Sequence, residues 1–227
     1  MRTTKVIKQG PIYLNVGCGY TAPNGWLNVD SSPTARIEKL PVIGRALSKL
    51  SGNAQRFPHS VRYGNIINGR FLAVNSVEAI YASHVLEHLA LADMRSALAN
   101  LFAMLRPGGT IRMIVPDLAA RAEHYVERAR SGDADAAEKF MRGCYLGRET
   151  RPRGLVGHVR SIFGGSDHLW MWDEASTYRE IERAGFCDIR RAAFGDSPDP
   201  MFAAVEDPMR FIDDGIVEIA FDAKKPA

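Results

Sequence analysis

A glycine bend and a later carboxylate are the residues best suited to holding a ligand. Gly17 and Gly19 follow a short β-rich run, Ile12 to Val16, and glycine lets a backbone turn sharply and approach a ligand without an intervening Cβ. Asp30 ends the next β-rich run, where its carboxylate could accept hydrogen bonds from both ribose hydroxyls of an adenosine. An ordinary tight turn with a helix-capping aspartate explains the same residues, and the glycines alone do not separate the two interpretations.

The spacing after the bend distinguishes between two kinds of adenosine cofactor. Residues 17–22, GCGYTA, satisfy the GxGxxG/A fingerprint of dinucleotide-binding enzymes. That interpretation needs a helix whose N-terminus faces the pyrophosphate, but Pro23 and Gly25 follow at once. Asp30 also comes too soon after Gly19, because roughly 20 residues are expected between them. S-adenosylmethionine carries no pyrophosphate, so the sequence favours this methyl donor.

A histidine-rich segment follows the fourth predicted strand. His84-Val85-Leu86-Glu87-His88 matches the HxxEH zinc motif of one class of peptidases. On a helix, His84 and His88 would share a face and could bind one metal ion. The segment directly follows a strand instead of lying within a long helix, so we predict no metal site. A zinc hydrolase stays as an alternative, as does a capping or packing role for His88.

Two residues are candidates for a general base, which helps methyl transfer when the acceptor is a hydroxyl. Asp117 follows the predicted strand Thr110 to Val115, although it suits the N-cap of the next helix equally well. His168 lies among aromatic and polar residues. Trp170 and Trp172, beside it, could stack on an acceptor or pack in the core. The transfer itself mainly needs alignment of acceptor, methyl group and sulfur, and exclusion of water.

These residues are distributed along a chain in which β-rich runs alternate with helical spacing. The pattern predicts an α/β fold: a Rossmann-like, mostly parallel sheet with helices on both faces, an antiparallel C-terminal strand pair, and a first helix that is shortened or absent. Ligands bind beyond the carboxyl ends of the strands in such sheets. The predicted strands are 12–16, 26–29, 61–66, 77–82, 110–115, 189–194 and 216–221, and the predicted helices begin near Asp93, Leu118 and Asp173.

Composition predicts one globular domain without a metal or disulfide framework. The chain has 227 residues, of which 46% are hydrophobic and 24% charged, and its net charge is +3. No stretch approaches the roughly 18 consecutive apolar residues of a membrane-spanning helix, and the N-terminus does not have the pattern of a secretory signal, so we expect a cytoplasmic protein without integral membrane association. Three separated cysteines, Cys18, Cys144 and Cys187, form no CxxC pair and are expected to be reduced.

Four motifs in order resemble a known family. LNVGCG, GWLNVD, IYASHVLEHL and LRPGGTIRMIVPD are similar to the successive motifs of class I S-adenosylmethionine-dependent methyltransferases of the type 11 kind, in a bacterial branch associated with surface-polysaccharide synthesis. The resemblance covers residues 12–118, and a weaker similarity is found at SDHLWMWD. It implies that S-adenosylmethionine is the cofactor and that residues 1–227 form a single methyltransferase domain. Two additions to the common core are expected, a basic inserted segment at about 31–59 and an acceptor-site cap at about 133–172.

The resemblance also implies which residues bind the cofactor. Gly17 and Gly19 would line its methionine part, and Asp30 would hold the ribose. Asn65 stands where the family often has an aspartate touching the adenine amine, and its amide still offers a carbonyl acceptor. Ser83 and His84 would flank the sulfonium end. Asn15 and Cys18, in the same run as the glycines, complete the predicted cofactor site.

The expected reaction is methyl transfer to oxygen on a saccharide or other small molecule. Arginines concentrated in the two added segments make an anionic acceptor plausible; Arg148, Arg151 and Arg153 are examples. Nucleic acid is not expected, because the charge is low and residues 82–85 read ASHV instead of the NPPY-like tetrapeptide of amino-directed enzymes. The alternatives are a non-catalytic S-adenosylmethionine-binding protein and the HxxEH zinc hydrolase.

Overall fold

A seven-stranded sheet forms the centre of the protein, whose computed structural model describes residues 10–38, 56–147, 149–151 and 167–227. The strand order is β3-β2-β1-β4-β5-β9-β6. Neighbours from β3 to β5 are parallel, and β9 is antiparallel to both β5 and β6. The strands are β1 Ile12–Val16, β2 Trp26–Asp30, β3 Arg62–Tyr63, β4 Val77–Ser83, β5 Leu105–Val115, β6 Cys187–Arg191 and β9 Ile219–Lys224, with β7 Ile212–Asp213 and β8 Ile216–Val217 as a separate pair. This sheet confirms the predicted Rossmann-like fold.

Helices connect the strands and supply the core. They are α1 Pro33–Glu38, α2 Leu91–Met104, α3 Leu118–Arg130, α4 Ala136–Gly143 and α5 Glu174–Arg183, and short 3₁₀ turns span Leu86–His88, Pro200–Ala204 and Pro208–Arg210. The order of the strands reverses between β1 and β4, which is where open α/β sheets bind their ligands. The predicted site residues therefore lie at the expected edge of the sheet.

The connection between β1 and β2, all of whose residues are described, contains no helix. Asn15 donates from its side-chain amide to the carbonyl of Thr21 and to the side-chain oxygen of Asn28, at 3.0 Å each. Asn28 in turn donates to the carbonyl of Pro23 at 3.0 Å. Two paired amides thus satisfy backbone groups that a helix would satisfy internally, and the predicted loss of the first helix is confirmed.

The two faces of the sheet are covered by different parts of the chain. Leu14 and Ile80 point to the face that packs against α2 and α5. Tyr81, one residue along β4, points to the other face and joins Phe202 of the segment after β6. The Phe202 ring lies 5.4 Å from the ring of Trp26 in an edge-on arrangement. Alternation along each strand therefore makes the C-terminal segment the cover of the second face.

Several element boundaries differ from those the sequence indicated. The predicted strand 61–66 is reduced to β3, the predicted strand 189–194 is shifted to β6, and the predicted strand 216–221 is divided between β8 and β9. Helix α2 begins at Leu91 with Ala90 as its N-cap, so Asp93 lies in the first turn instead of capping it. The helix also ends at Met104, before the Pro107-Gly108-Gly109 run expected to stop it, and β5 begins at once. Proline disfavours helical backbone in the residue before it, so the chain becomes extended before Pro107.

The two additions to the common core lie partly outside the described residues. Residues 39–55 of the early basic segment, and residues 148 and 152–166 of the predicted cap, are outside. The division of the chain into core, insertion and cap therefore stays a prediction. Among the described residues, no helix has the length and apolar character needed to cross a membrane.

Replacing Asp173 by alanine should lower the free energy of unfolding by about 1 kcal/mol at neutral pH. Its side chain accepts from the Ser176 amide at 2.7 Å and completes a capping box at the start of α5. The hydrogen bonds from Ser176 hold the pKa of this carboxyl below its usual range. A carboxyl with a lowered pKa contributes stability above its unfolded-state pKa and loses it as pH falls through the folded-state pKa.

Urea unfolding of wild type and variant between pH 7 and pH 3 measures this effect, and the difference should shrink on acidification. Asp135→Ala is the matched control, because Asp135 is the N-cap of α4 but its side chain makes no capping hydrogen bond. A loss of unfolding free energy for Asp135→Ala as large as that for Asp173→Ala would contradict the stabilising capping role assigned to the Asp173 side chain.

Candidate cofactor and acceptor site

The carboxylate of Asp30 faces the glycine bend. Its Oδ2 accepts from the Gly19 amide at 3.1 Å, and its Oδ1 accepts from the Ser32 amide at 2.7 Å. Asp30 is buried, with 7% of its surface exposed. Each carboxylate oxygen can accept more than one hydrogen bond, so both can still accept from a pair of adjacent hydroxyls.

The two glycines of the bend serve different purposes. Both have positive φ, 58° at Gly17 and 52° at Gly19, a conformation that glycine adopts without a steric penalty. A Cβ on Gly17 would lie 2.3 Å from Cγ2 of Val85, whereas one on Gly19 would meet no described atom within 4 Å. Gly17 therefore permits close packing against the segment after β4, and Gly19 leaves open space beside Asp30.

Asn15 and Cys18 hold the bend in place. Asn15 is buried and donates to the loop and to Asn28. The amide of Cys18 donates to the carbonyl of Val29 at 3.1 Å, which ties the bend to β2. Asn28 is a residue that the sequence analysis missed, although a polar side chain in a β-rich run is a signal of such a role.

Asn65 lies next to Asp30 across the strand ends. The amide of Gly64, the preceding residue, donates to the carbonyl of Asp30 at 3.2 Å. The side-chain oxygen of Asn65 accepts from the Ile67 amide at 2.8 Å. That oxygen has a second lone pair, which could accept a hydrogen bond from an adenine amine. The contact with adenine stays a prediction.

His84 leaves β4 in an unusual backbone conformation. Its φ is +54°, and non-glycine residues in this region are often found at functional sites, where the surrounding structure compensates the strain. The ring Nε2 lies 2.9 Å from the carbonyl of Arg210. Ser83, the preceding residue, ends the strand, so the two residues stand where the resemblance places the sulfonium end of the cofactor.

A cavity of about 250 Å³ opens beside His84, beyond the ends of β4 and β5. We call it the histidine cavity, and its principal lining residues are His84, Glu87, His88, Arg121, His168 and Arg210. Glu87, Arg121 and Arg210 were not among the predicted site residues. The HxxEH run was the signal for Glu87, but nothing local marks the two arginines.

His168, a predicted catalytic residue, lines this cavity. Its ring centroid lies 4.9 Å from those of His88 and Tyr145. Burial lowers the pKa of His168 to about 4, so the imidazole is neutral at pH 7. A neutral ring can accept a hydrogen bond from an acceptor hydroxyl, but with so low a pKa it is a weak proton acceptor.

Asp117, the other predicted catalytic residue, has the contacts of an N-cap. Its Oδ1 accepts from the amides of Ala119 and Ala120, at 2.9 and 3.1 Å. Its own amide donates to Oε2 of Glu218 at 2.8 Å. The capping alternative therefore accounts for the observed contacts, and a catalytic role for Asp117 stays a prediction without a contact to support it.

The two tryptophans near His168 have different environments. Trp172 is 2% exposed and belongs to the main core, whereas Trp170 is 44% exposed. The packing alternative therefore describes Trp172. Of the three arginines expected to bind an anionic acceptor, Arg151 is exposed, and Arg148 and Arg153 lie outside the described residues.

A family comparison matches the part of the chain that carries the predicted cofactor residues. Residues 14–113 match the family described as a methyltransferase domain. The matched range begins in β1 and ends in β5, so it includes the glycine bend, Asp30 and His84. No curated protein matches the sequence.

Solved structures with a similar fold are methyltransferases of low sequence identity. An S-adenosylmethionine-dependent methyltransferase from Archaeoglobus fulgidus is 14% identical, with a TM-score of 0.48 over 95% of this chain and 86% of its own. The 1,6-didemethyltoxoflavin-N1-methyltransferase of Burkholderia thailandensis is 14% identical, with a TM-score of 0.45 over 96% of this chain and 72% of its own. Human N-acetylserotonin methyltransferase is 14% identical, with a TM-score of 0.44 over 96% of this chain and 48% of its own.

Fold, site and domain match together define the class of protein. The sheet order with its antiparallel β9, the bend facing an acidic residue at the end of β2, and the matched domain are those of a class I methyltransferase. Residues 14–113 of the chain match a methyltransferase domain, and this match, with the bend and Asp30 at the strand ends, is the basis for proposing an S-adenosylmethionine-dependent methyltransferase.

Proposed function

We propose that this enzyme transfers the methyl group of S-adenosylmethionine to an oxygen atom of a small-molecule or saccharide acceptor bound in the histidine cavity. The observation that carries the proposal is the position of this cavity. It begins at His84, directly after β4, and β4 lies beside the strand that ends in the glycine bend. A cofactor held at the bend would therefore direct its sulfonium end toward the cavity.

The cofactor would be held by residues from four strand ends. Asp30 accepts hydrogen bonds from the ribose hydroxyls, and the open space at Gly19 admits the ribose and the methionine part of the cofactor. Asn65, beside Asp30, offers its amide to the adenine. Ser83 and His84 border the sulfonium. Gly17, Asn15 and Cys18 are assigned to shaping the bend, because their observed contacts lie within it.

The reaction is a displacement in which the sulfur–methyl bond breaks as the oxygen–methyl bond forms. The cavity contributes chiefly by positioning the acceptor and restricting water. His168 accepts a hydrogen bond from the acceptor hydroxyl and orients it. Because the pKa of His168 is lowered to about 4, the hydroxyl proton is expected to leave through another group or to solvent.

The exposed Arg210 at the cavity and the sequence resemblance are the basis for proposing an acidic sugar as the acceptor. Arg121 and Arg210 line the cavity, and Arg210 is exposed at its edge. Arg121 is paired with Asp213 and Glu218, and Glu87 adds another carboxylate to the lining, so the described lining has no excess of positive charge. Arg210 is the exposed cation that an acidic group of the acceptor would contact. A phosphorylated or carboxylated building block of a surface polysaccharide, methylated in the cytoplasm, fits this setting.

Titration calorimetry and a transfer assay test the proposal. S-adenosylhomocysteine should bind in the micromolar range and NAD should not, because the bend has no helix N-terminus for a pyrophosphate. Labelled methyl groups from S-adenosylmethionine should then appear on uronic acids or sugar phosphates in preference to neutral sugars or nucleic acids. Failure of S-adenosylhomocysteine to bind would refute the proposal. Binding without transfer to any acceptor would favour the non-catalytic alternative.

A further inference from the structure

We propose that Glu87, His88 and His168 bind a divalent first-row transition metal ion, with Zn²⁺ as the best fit, inside the histidine cavity. Each of the three residues offers one ligand atom, and these atoms lie within 4.8 Å of one another. The sequence analysis predicted no metal and considered only His84 and His88 on one helix. Here Leu86–His88 is a short 3₁₀ turn, and His168 comes from a distant part of the chain.

The carboxylate of Glu87 is the first argument for a cation. Glu87 is fully buried, and neither of its oxygens accepts a hydrogen bond from the residues that the structure describes. Two histidine nitrogens lie within 4 Å of Oε1, Nδ1 of His84 at 3.4 Å and Nε2 of His88 at 3.9 Å. A buried carboxylate without a compensating charge is strongly unfavourable, so a cation at this position would remove a large penalty.

The orientation of the neighbouring histidines is the second argument. Nε2 of His84 lies 2.9 Å from the carbonyl of Arg210, and Nδ1 of His88 lies 3.2 Å from the carbonyl of Asp167. A carbonyl only accepts hydrogen bonds, so these two nitrogens carry the protons of the neutral rings. The other nitrogen of each ring faces Glu87, and it presents a lone pair there when the ring is neutral, as metal binding requires. Metal-binding histidines are commonly fixed in this way, by donating their second nitrogen to a backbone carbonyl.

His168 completes the set from the opposite wall. Its Nδ1 lies 3.2 Å from Sδ of Met171, a weak acceptor, which leaves Nε2 with the lone pair. His84 borders the same carboxylate and is a candidate additional ligand. At metal–ligand distances of about 2.0–2.2 Å, the three ligand atoms must move closer together than 4.8 Å, which side-chain rotation into the cavity allows.

The ligand types indicate which ion is bound. Imidazole nitrogen suits zinc and neighbouring transition metals, whereas Mg²⁺ and Ca²⁺ prefer oxygen ligands. Three protein ligands leave an open position, and here it faces the cavity. Resting on the proposed function, we assign that position to an oxygen of the acceptor, so that in the metal-bound protein the ion orients the group to be methylated in place of the hydrogen bond to His168.

Metal binding by the full chain tests the inference without any activity assay. Protein freed of metal with a chelator should bind one Zn²⁺ per chain in competition with a chromophoric chelator, and elemental analysis should confirm the ratio. Loss of a residue that only supports a ligand costs metal sites about 10–100-fold. We therefore expect Glu87→Gln and His88→Ala each to weaken Zn²⁺ binding at least about 100-fold. His59→Ala, which alters an exposed histidine outside the cluster, should bind as wild type.

Thermal unfolding guards against variants that simply fail to fold. Without metal, Glu87→Gln should melt at or above the wild-type temperature, because it removes the uncompensated charge. Zn²⁺ should raise the melting temperature of wild type and leave that of Glu87→Gln unchanged. Equal Zn²⁺ affinity in wild type and both cavity variants, or much less than one ion per wild-type chain, would overturn the inference.

Cofactor binding keeps this result separate from the proposed function. S-adenosylhomocysteine titrated into the metal-free protein should bind, since Glu87, His88 and His168 are not among the residues assigned to the cofactor. Cofactor binding with no Zn²⁺ binding would refute the metal site alone. Zn²⁺ binding with no cofactor binding would refute the proposed function alone.

Discussion

Replacing Asp30 by alanine is expected to weaken the binding of S-adenosylhomocysteine about 100-fold. A hydrogen bond to a charged group contributes about 1.5–3 kcal/mol, and a factor of ten in affinity corresponds to about 1.4 kcal/mol. Losing two such bonds from ribose hydroxyls therefore predicts a change of at least this size. The substitution also removes the acceptor of the Gly19 and Ser32 amides, which loosens the bend.

Two further variants separate ribose binding from support of the bend. Asp30→Asn keeps one side-chain oxygen acceptor, so it should lose less affinity than Asp30→Ala. Asp133→Ala is the matched control, because Asp133 accepts the amide two residues further on at 2.9 Å, as Asp30 does, but lies between α3 and α4. Calorimetric titration measures all three. Unchanged affinity in a folded Asp30→Ala protein would remove the basis for the cofactor site.

Replacing Arg112 by methionine should lower the free energy of unfolding by about 3–5 kcal/mol. The Arg112 side chain is fully buried in β5 and forms a bidentate pair with Asp222 of β9, at 2.6 and 2.7 Å. It also donates to Glu206 and, at 2.6 Å, to Asp196. Removing the cation leaves the buried Glu206 without its ion-pair partner, and breaking a buried pair from one side is the costly case. Asp222 and Asp196 stay paired with Arg190.

The same strand supplies a control for this experiment. Arg106 forms an ion pair with Glu78 in which the two side chains are 47% and 28% exposed. Exposed pairs contribute about 0–1 kcal/mol, so Arg106→Met should change stability little. Urea unfolding with matched slopes measures both variants. Equal losses of unfolding free energy for the two substitutions would show that burial does not determine how much Arg112 and its three carboxylate partners, the Arg112 cluster, contribute to stability.

The Arg112 cluster also shows what a sequence does not reveal. A buried strand was predicted around Thr110 to Val115, and β5 contains it. The partners of Arg112 lie 84, 94 and 110 residues further along the chain. Nothing in the local pattern marks which acidic residues will face it, because the pairing depends on the register of β9 against β5 and on the path of the segment after β6.

The cofactor half of the site was predictable because its parts are close in the sequence. Asp30 lies 11 residues from Gly19, and both follow neighbouring parallel strands whose carboxyl ends meet at one edge of the sheet. The short β1–β2 connection excluded a helix on length and proline content alone. The amide pair of Asn15 and Asn28 was not predicted, since it depends on the register that places the two residues side by side.

The histidine cavity, which is the proposed acceptor half of the site, was decided by tertiary structure. The sequence identified His84, Glu87, His88 and His168 as residues capable of chemistry, but local spacing suggested a helical pair that did not form. His88 meets the carbonyl of a residue 79 positions away, and His84 meets one 126 positions away. Local backbone preferences and strand alternation are determined within a few residues. The convergence of four side chains on one cavity instead depends on how distant segments pack, and only the folded chain specifies that.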